Sequence, residues 1–209
     1  MTNNFVSGNY EDKYNTNNKL YQLLMGKFLK DLEGSLDYIN ENNEKIEICE
    51  VGCGDGEILK VLKNKFLDSD LFACDLSAEE IEKAQEKCTD FEVEFSVQNA
   101  EDLNKYSNEQ FDLVVCVEVL EHLSDPNYGL RELKRISAKY LLVSVPNEPI
   151  WRILNMLRGK YLKNYGNTPG HLNHWSLANF KKFLSLNTEY EIVRSKNPFP
   201  WQMTLLKRV

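Results

Sequence analysis

The stretch Ile46-Glu47-Ile48-Cys49-Glu50-Val51-Gly52-Cys53-Gly54-Asp55-Gly56 decides the fold of this chain. A short apolar run ends in an acid and passes into a turn with glycine at every second position. An amphipathic helix follows, with Ile58, Leu59, Val61, Leu62 and Phe66 on one face. A strand, a glycine turn and a helix in this order bring backbone N–H groups and a helix N-terminus close to a ligand, because glycine has no Cβ to hold it off. A dinucleotide fingerprint wants its third glycine at position 57; that residue is Glu57, and the extra glycine is Gly56. Glu50, just ahead of the turn, repels a pyrophosphate and suits a ligand that carries positive charge.

Three further segments arrive in order. Leu71-Phe72-Ala73-Cys74-Asp75-Leu76-Ser77 reads as a second strand ending in an acid, and an acid there accepts both hydroxyls of a ribose. Ser77 and Glu80 form a capping box that starts a helix, with Ile81, Ala84 and Cys88 as its buried stripe. Val93, Phe95 and Val97 alternate as a third strand does, and Gln98-Asn99-Ala100-Glu101 follows. The continuous apolar run 113–117 fits a strand buried on both faces of a parallel sheet; it leads into Glu118-Val119-Leu120-Glu121-His122.

The rest of the chain predicts one α/β domain over residues 1–209. An amphipathic helix covers 19–36, behind an Asn-rich lead holding Tyr10 and Tyr14 that either folds over the ligand or frays. Asp125-Pro126 supplies an N-cap and a first-turn proline for a helix through about Ala138. Tyr140–Val145 reads as a fifth strand stopped by Pro146, and Ser176 caps a helix burying Leu177, Phe180, Phe183 and Leu184. Tyr190–Arg194 and Trp201–Lys207 read as two closing strands. No apolar run approaches the roughly 20 residues of a membrane span. The start lacks the basic and apolar regions of a secretory signal. The five cysteines form no C-x-x-C pair, and the expectation is reduced thiols in a cytoplasmic protein.

The Glu50–Gly56 segment resembles the first motif of class I S-adenosylmethionine-dependent methyltransferases, whose cofactor carries a positive sulfonium and a positive ammonium group. The resemblance implies a Rossmann-like seven-stranded sheet, mostly parallel with a reversed C-terminal strand, and helices on both faces. It implies cofactor contacts from Glu50, Gly52, Cys53, Gly54, Asp75, Leu76, Asn99, Ala100, Glu101 and Cys116, with Asn99 and the Ala100 N–H reading the adenine edge. The E-x-x-E-H segment and the later G-x-H resemble the ubiquinone-pathway O-methyltransferases and the small-RNA 3′-end 2′-O-methyltransferases. In the second group such residues bind a metal; carried over, the quartet is Glu118, Glu121, His122 and His171, and the ion Mg²⁺ or Mn²⁺. In a helix, 118, 121 and 122 share a face. Either a metal lowers the pKa of an acceptor hydroxyl or His122 or His171 takes its proton. The alternative is that Glu121 and His122 merely pack above the cofactor.

Charge separates the functional classes further. The net charge of −7 argues against a general nucleic-acid binder: no DNA, and RNA only as the runner-up acceptor. Residues 149–188 nevertheless contain six basic residues (Arg152, Arg158, Lys160, Lys163, Lys181, Lys182) and no acid. Interleaved with the first four are Ile150, Trp151, Ile153, Leu154, Met156, Leu157, Tyr161 and Leu162. This insert at 148–175 reads as a substrate-side element for a small or lipid-like acceptor, or as a peripheral membrane contact through 149–165; a core-facing helix is the plain alternative. A non-catalytic S-adenosylmethionine-binding module needs Glu50, Gly52, Gly54 and Asp75 but has no use for the Glu and His residues.

Overall fold

The computed structural model describes residues 19–39, 45–185 and 189–209; the lead with Tyr10 and Tyr14 lies outside them. Seven strands form one sheet: β1 Glu47–Val51, β2 Asp70–Asp75, β3 Glu94–Val97, β4 Phe111–Val117, β5 Ser137–Pro146, β6 Tyr190–Lys196 and β7 Trp201–Arg208. Their order is β3-β2-β1-β4-β5-β7-β6. β1 to β5 pair in parallel, and β7 runs antiparallel to both β5 and β6. This is the expected Rossmann-like sheet with a reversed C-terminal strand. The chain leaves β1 for β2 on one side and returns to β4 on the other. A sheet that reverses its order there opens a crevice at the carboxyl ends of β1 and β4, where α/β proteins bind ligands.

Six helices cover the sheet: α1 Lys19–Leu36, α2 Glu57–Lys65, α3 Ala78–Lys87, α4 Pro126–Ile136, α5 Glu148–Leu157 and α6 Leu177–Leu184. Strand side chains alternate between faces, so a strand covered on both sides must be apolar throughout. β4 shows this. Val114 and Cys116 pack with Leu130, Leu133 and Phe180, whereas Leu113 and Val115 pack with Phe28, Leu32, Ile58 and Leu62.

Three local details depart from the sequence reading. Val97 is half exposed although it shares a face with Val93 and Phe95, which pack against Cys53, Leu59 and Ile81: it is the last residue of the edge strand β3, beyond that cluster. The capping box is half made: Ser77 Oγ accepts the Glu80 N–H at 3.3 Å, but the Glu80 carboxylate pairs with Lys83, and the Ser77 N–H goes to Asp75 Oδ1 at 2.9 Å. α4 stops at Ile136 instead of Ala138, since Ser137 already opens β5. The Tyr190 hydroxyl and the Arg208 guanidinium both donate to the carbonyls of Lys134 and Ser137, which satisfies the helix end. Among the described residues no helix is long and apolar enough to cross a membrane.

Asp125 caps α4 as expected, its Oδ1 accepting from Asn127 and Tyr128 at 3.0 and 3.1 Å. Asp125→Ala is expected to lower the unfolding free energy by about 1 kcal/mol, the usual worth of an N-cap. Urea denaturation measures this, and ligand affinity should not change.

Candidate active site

β1 delivers Glu50 to the crevice. Its side chain is 1% exposed, and Oε2 has no hydrogen-bond partner among the described residues. Burial, reinforced by Asp75, Cys74 and Asp55, holds this carboxyl well above the usual carboxylate range. A buried acid with an unused oxygen fits a ligand that brings a cation.

The turn after β1 is shaped by close approach. Gly52 has φ +78°, and an added Cβ would lie 2.2 Å from Val119 Cγ2. Gly54 also has a positive φ, but a Cβ there would meet nothing within 4 Å, so the backbone borders open space. The N–H groups of the turn are largely spent within the fold. Gly52 and Cys53 both donate to Cys74 O, at 2.7 and 3.1 Å, and Gly54 donates to Asp75 Oδ2 at 2.9 Å. Cys53 is buried, and its side chain packs beside Leu59 and Ala73. The turn therefore offers shape and carbonyl lone pairs more than the donors expected of it.

Asp75, at the tip of β2, accepts one backbone N–H on each oxygen, from Gly54 and Ser77. Those bonds fix the carboxylate and leave a second lone pair on each oxygen for ribose hydroxyls. Leu76 beside it is half exposed. Beyond β3, Asn99 Oδ1 accepts the Glu101 N–H at 2.9 Å, which orients the amide and leaves one lone pair. Ala100 is buried. The Glu101 carboxylate is committed elsewhere, taking the Asp125 N–H at 2.5 Å and so tying this loop to the start of α4. Cys116 lies wholly inside β4, and its thiol belongs to the core.

The segment after β4 departs from the expected helical face. Glu118 adopts φ +58°, an uncommon conformation for a residue with a Cβ. Its N–H donates to Ser144 O at 2.9 Å, and its Oε2 accepts from Trp201 Nε1 at 2.9 Å. Only then does a single 3-10 turn form, Leu120–His122. Of the expected four, three are grouped among the described residues. Glu121, His122 and His171 each present a ligand atom, all within 4.8 Å of one another.

A strap from Gly166 to Trp175 brings His171 in. Leu172 and Asn173 donate their N–H groups to Glu121 O at 2.8 and 3.0 Å, and Asn173 Nδ2 donates to the carbonyls of Leu120 and Leu123. His122 Nδ1 lies 3.0 Å from Gly170 O; a carbonyl only accepts, so Nδ1 carries the proton and Nε2 the lone pair. The two imidazoles meet edge to face at 5.0 Å. His174 stands apart, exposed and bonded to Asn167.

Sequence reading gave Glu148 no role and placed Trp151 in the apolar run of the insert without a link to His171. Glu148, the first residue of α5, is buried with its Oε1 2.5 Å from His171 Nδ1. Trp151 stacks over His171 at 6.3 Å, and its Nε1 donates to Thr168. One signal was available: Glu148 is the last acid before forty residues without any.

Residues 49–139 match the family described as a methyltransferase domain. A ubiquinone biosynthesis O-methyltransferase of Xanthomonas oryzae pv. oryzae is 28% identical over 134 residues, 61% of this chain and 55% of that protein. A cyclopropane-fatty-acyl-phospholipid synthase of Escherichia coli is 31% identical over 83 residues, 40% of this chain and 20% of that protein. The chain thus spans about half the length, or less, of these curated relatives. Magnesium protoporphyrin IX methyltransferase of Synechocystis PCC 6803, solved with bound SAH, shares the fold with a TM-score of 0.71, at 16% identity over 93% of this chain and 89% of that one. The family match runs from β1 to the start of β5, across the strands that build the crevice, so residues 49–139 are similar to a methyltransferase domain and the sheet shares the fold of the solved methyltransferase.

Proposed function

We propose that this protein transfers a methyl group from S-adenosylmethionine to an oxygen of a small, lipophilic hydroxyl acceptor. The observation that carries the reading is the trio of Glu121, His122 and His171 at the end of β4, beside the glycine turn. A binding-only module has no use for it. The ubiquinone-pathway relatives support an oxygen acceptor.

S-adenosylmethionine supplies an electrophilic methyl on a cationic sulfur. Glu50 offers it a countercharge, and Asp75 offers acceptors for the ribose. What the protein adds at the other end is alignment and a place for the acceptor's proton; alignment alone contributes up to roughly 7–11 kcal/mol in favourable cases. The trio fits a divalent ion: both imidazoles keep a ring nitrogen engaged by an oxygen acceptor, as metal-bound histidines do. An ion there would polarise the acceptor hydroxyl. The trio offers two nitrogens and a carboxylate, a set that moves the preference from Mg²⁺ towards Mn²⁺ or another first-row ion.

Position on a membrane fits the same acceptor. Along α5, Trp151 and Asn155 face the strap, while Ile153, Met156 and Leu157 are exposed, the last by 79%. Leu162, Arg158, Lys160 and Lys163 extend this outer face. An apolar stripe with basic flanks suits an anionic lipid surface, at about 1 kcal/mol per basic residue.

Three outcomes are expected. Glu50→Gln should weaken S-adenosylhomocysteine binding about tenfold or more in calorimetry, because a charge-assisted bond is lost. A carboxyl whose pKa is higher folded than unfolded loses stability as pH rises from the ordinary carboxylate range towards the folded value. In urea denaturation the ligand-free variant should therefore gain on the parent as pH rises above the ordinary carboxylate range. Mn²⁺ titrated into protein saturated with S-adenosylhomocysteine should bind at one site, more tightly than Mg²⁺, and Glu121→Ala should abolish it; no binding would retire the ion and leave a histidine base. Vesicles containing phosphatidylglycerol should sediment the protein, pure phosphatidylcholine should not, and Ile153→Glu with Leu157→Glu should remove the effect. Equal partition into both vesicles would defeat the docking surface.

A further inference from the structure

Each histidine has a ring nitrogen within hydrogen-bond distance of an oxygen acceptor, and for His171 that acceptor is a buried carboxylate. His122 Nδ1 faces the Gly170 carbonyl, and exposed His174 Nε2 faces the Asn167 amide oxygen. His171 Nδ1 lies 2.5 Å from Glu148 Oε1, with Glu148 2% and His171 6% exposed. Sequence reading gave Glu148 no role, and the cofactor crevice does not require it.

We propose that Glu148 is a positioning residue that locks His171 as its Nδ1–H tautomer, so that Nε2 is the basic nitrogen the trio uses. The proposal rests on the methyltransferase reading for its purpose, since Nε2 there either ligates an ion or takes the acceptor's proton. The geometry is a clamp. Glu148 holds one edge of the ring, Trp151 lies over its face at 6.3 Å and 23°, and His122 meets it edge-on. The clamp is itself anchored. Glu148 is the first residue of α5, where the aligned peptide dipoles favour a negative side chain. Its N–H donates to Trp175 O at 3.2 Å, and the His171 N–H donates to Thr168 O at 3.1 Å. Thr168 Oγ1 in turn accepts from Trp151 and Asn155, both on α5.

A neutral imidazole has one donor and one acceptor, and its partner decides which nitrogen is which. A carboxylate accepts without donating, so it forces the proton onto Nδ1. It also fixes the plane of the ring, so that Nε2 points one way. Removing such a second partner usually costs about 10–100-fold in metal affinity or activity.

The chain has three histidines, so nitrogen NMR of the full-length protein with labelled histidine resolves each ring. At about pH 9, above the ordinary histidine range, long-range proton–nitrogen correlations read the tautomer directly. His171 is expected as Nδ1–H. Glu148→Ala should shift it to a mixture rich in Nε2–H, while His122 stays Nδ1–H and His174 is unmoved; those two signals report that the fold persists. Glu148→Gln, which keeps an acceptor oxygen, should restore the tautomer. An Nε2–H ring in the unmodified protein, or an unchanged His171 in Glu148→Ala, would overturn the proposal, and the first needs no variant to fold. S-adenosylhomocysteine calorimetry on the unmodified protein separates the two ideas. Failure to bind would sink the methyltransferase reading with the tautomer intact, and binding with the wrong tautomer would sink only the role of Glu148.

Discussion

The structure turns on the contact between two strand ends. Val119 occupies the space that any side chain at position 52 would need, with Cγ2 only 2.2 Å from where a Cβ would sit. β1 and β4 are parallel neighbours, and parallel strands send their carboxyl ends to the same edge. Pressing the two following turns together at that edge brings Glu50 and the Glu118–His122 segment within one crevice. The cost appears one residue earlier. Glu118 is driven to φ +58°, a conformation that persists only where its surroundings fix it. Here the fixing groups are Ser144 O on β5 and Trp201 on β7. The reversed strand at the end of the chain thus steadies a strained residue at the centre of the sheet.

A second constraint follows from the first. A single 3-10 turn leaves its carbonyls without partners of its own. Those of Leu120, Glu121 and Leu123 are taken by the backbone and side chain of Asn173 and by the Leu172 N–H, some fifty residues on. The strap that satisfies them is the strap that carries His171. The histidine reaches its place because backbone hydrogen bonding demands a partner there, and Gly170 O then orients His122 on the way past.

How much of this the sequence disclosed depends on whether the signal was local. The central strands were legible because a strand buried on both faces must be apolar throughout, as in 113–117. The crevice acids Glu50 and Asp75 were legible because each closes a strand. α4 was legible at its start, where Asp125 and Pro126 act within one turn, and misjudged at its end, where Tyr190 and Arg208 cap it from more than fifty residues away. Glu118 shows the same limit of local reading. Helical spacing placed Glu118 with Glu121 and His122, but its backbone conformation is set by β5 and its side chain by Trp201. Glu148 was invisible as a functional group because its partner lies in the strap, beyond a helix and a turn.

The insert shows why a stripe in sequence need not be a face in space. Trp151, Ile153, Met156 and Leu157 read as one apolar run. In α5 the residues at i and i+4, Trp151 and Asn155, turn inward to Thr168 and the histidines, while Ile153, Met156 and Leu157 point away. Gly166 makes the inner packing possible, since a Cβ there would lie 2.2 Å from Arg152 O. The one acid of the helix is consumed inside, by His171. What remains outside is uniformly apolar or basic, on a chain whose net charge is −7. Arg152, within the helix, and Arg158, Lys160 and Lys163, just beyond it, thus stand beside the exposed apolar residues of the helix whose other face packs against His171. The same ten residues therefore present an apolar outer side and an inner side that holds a histidine.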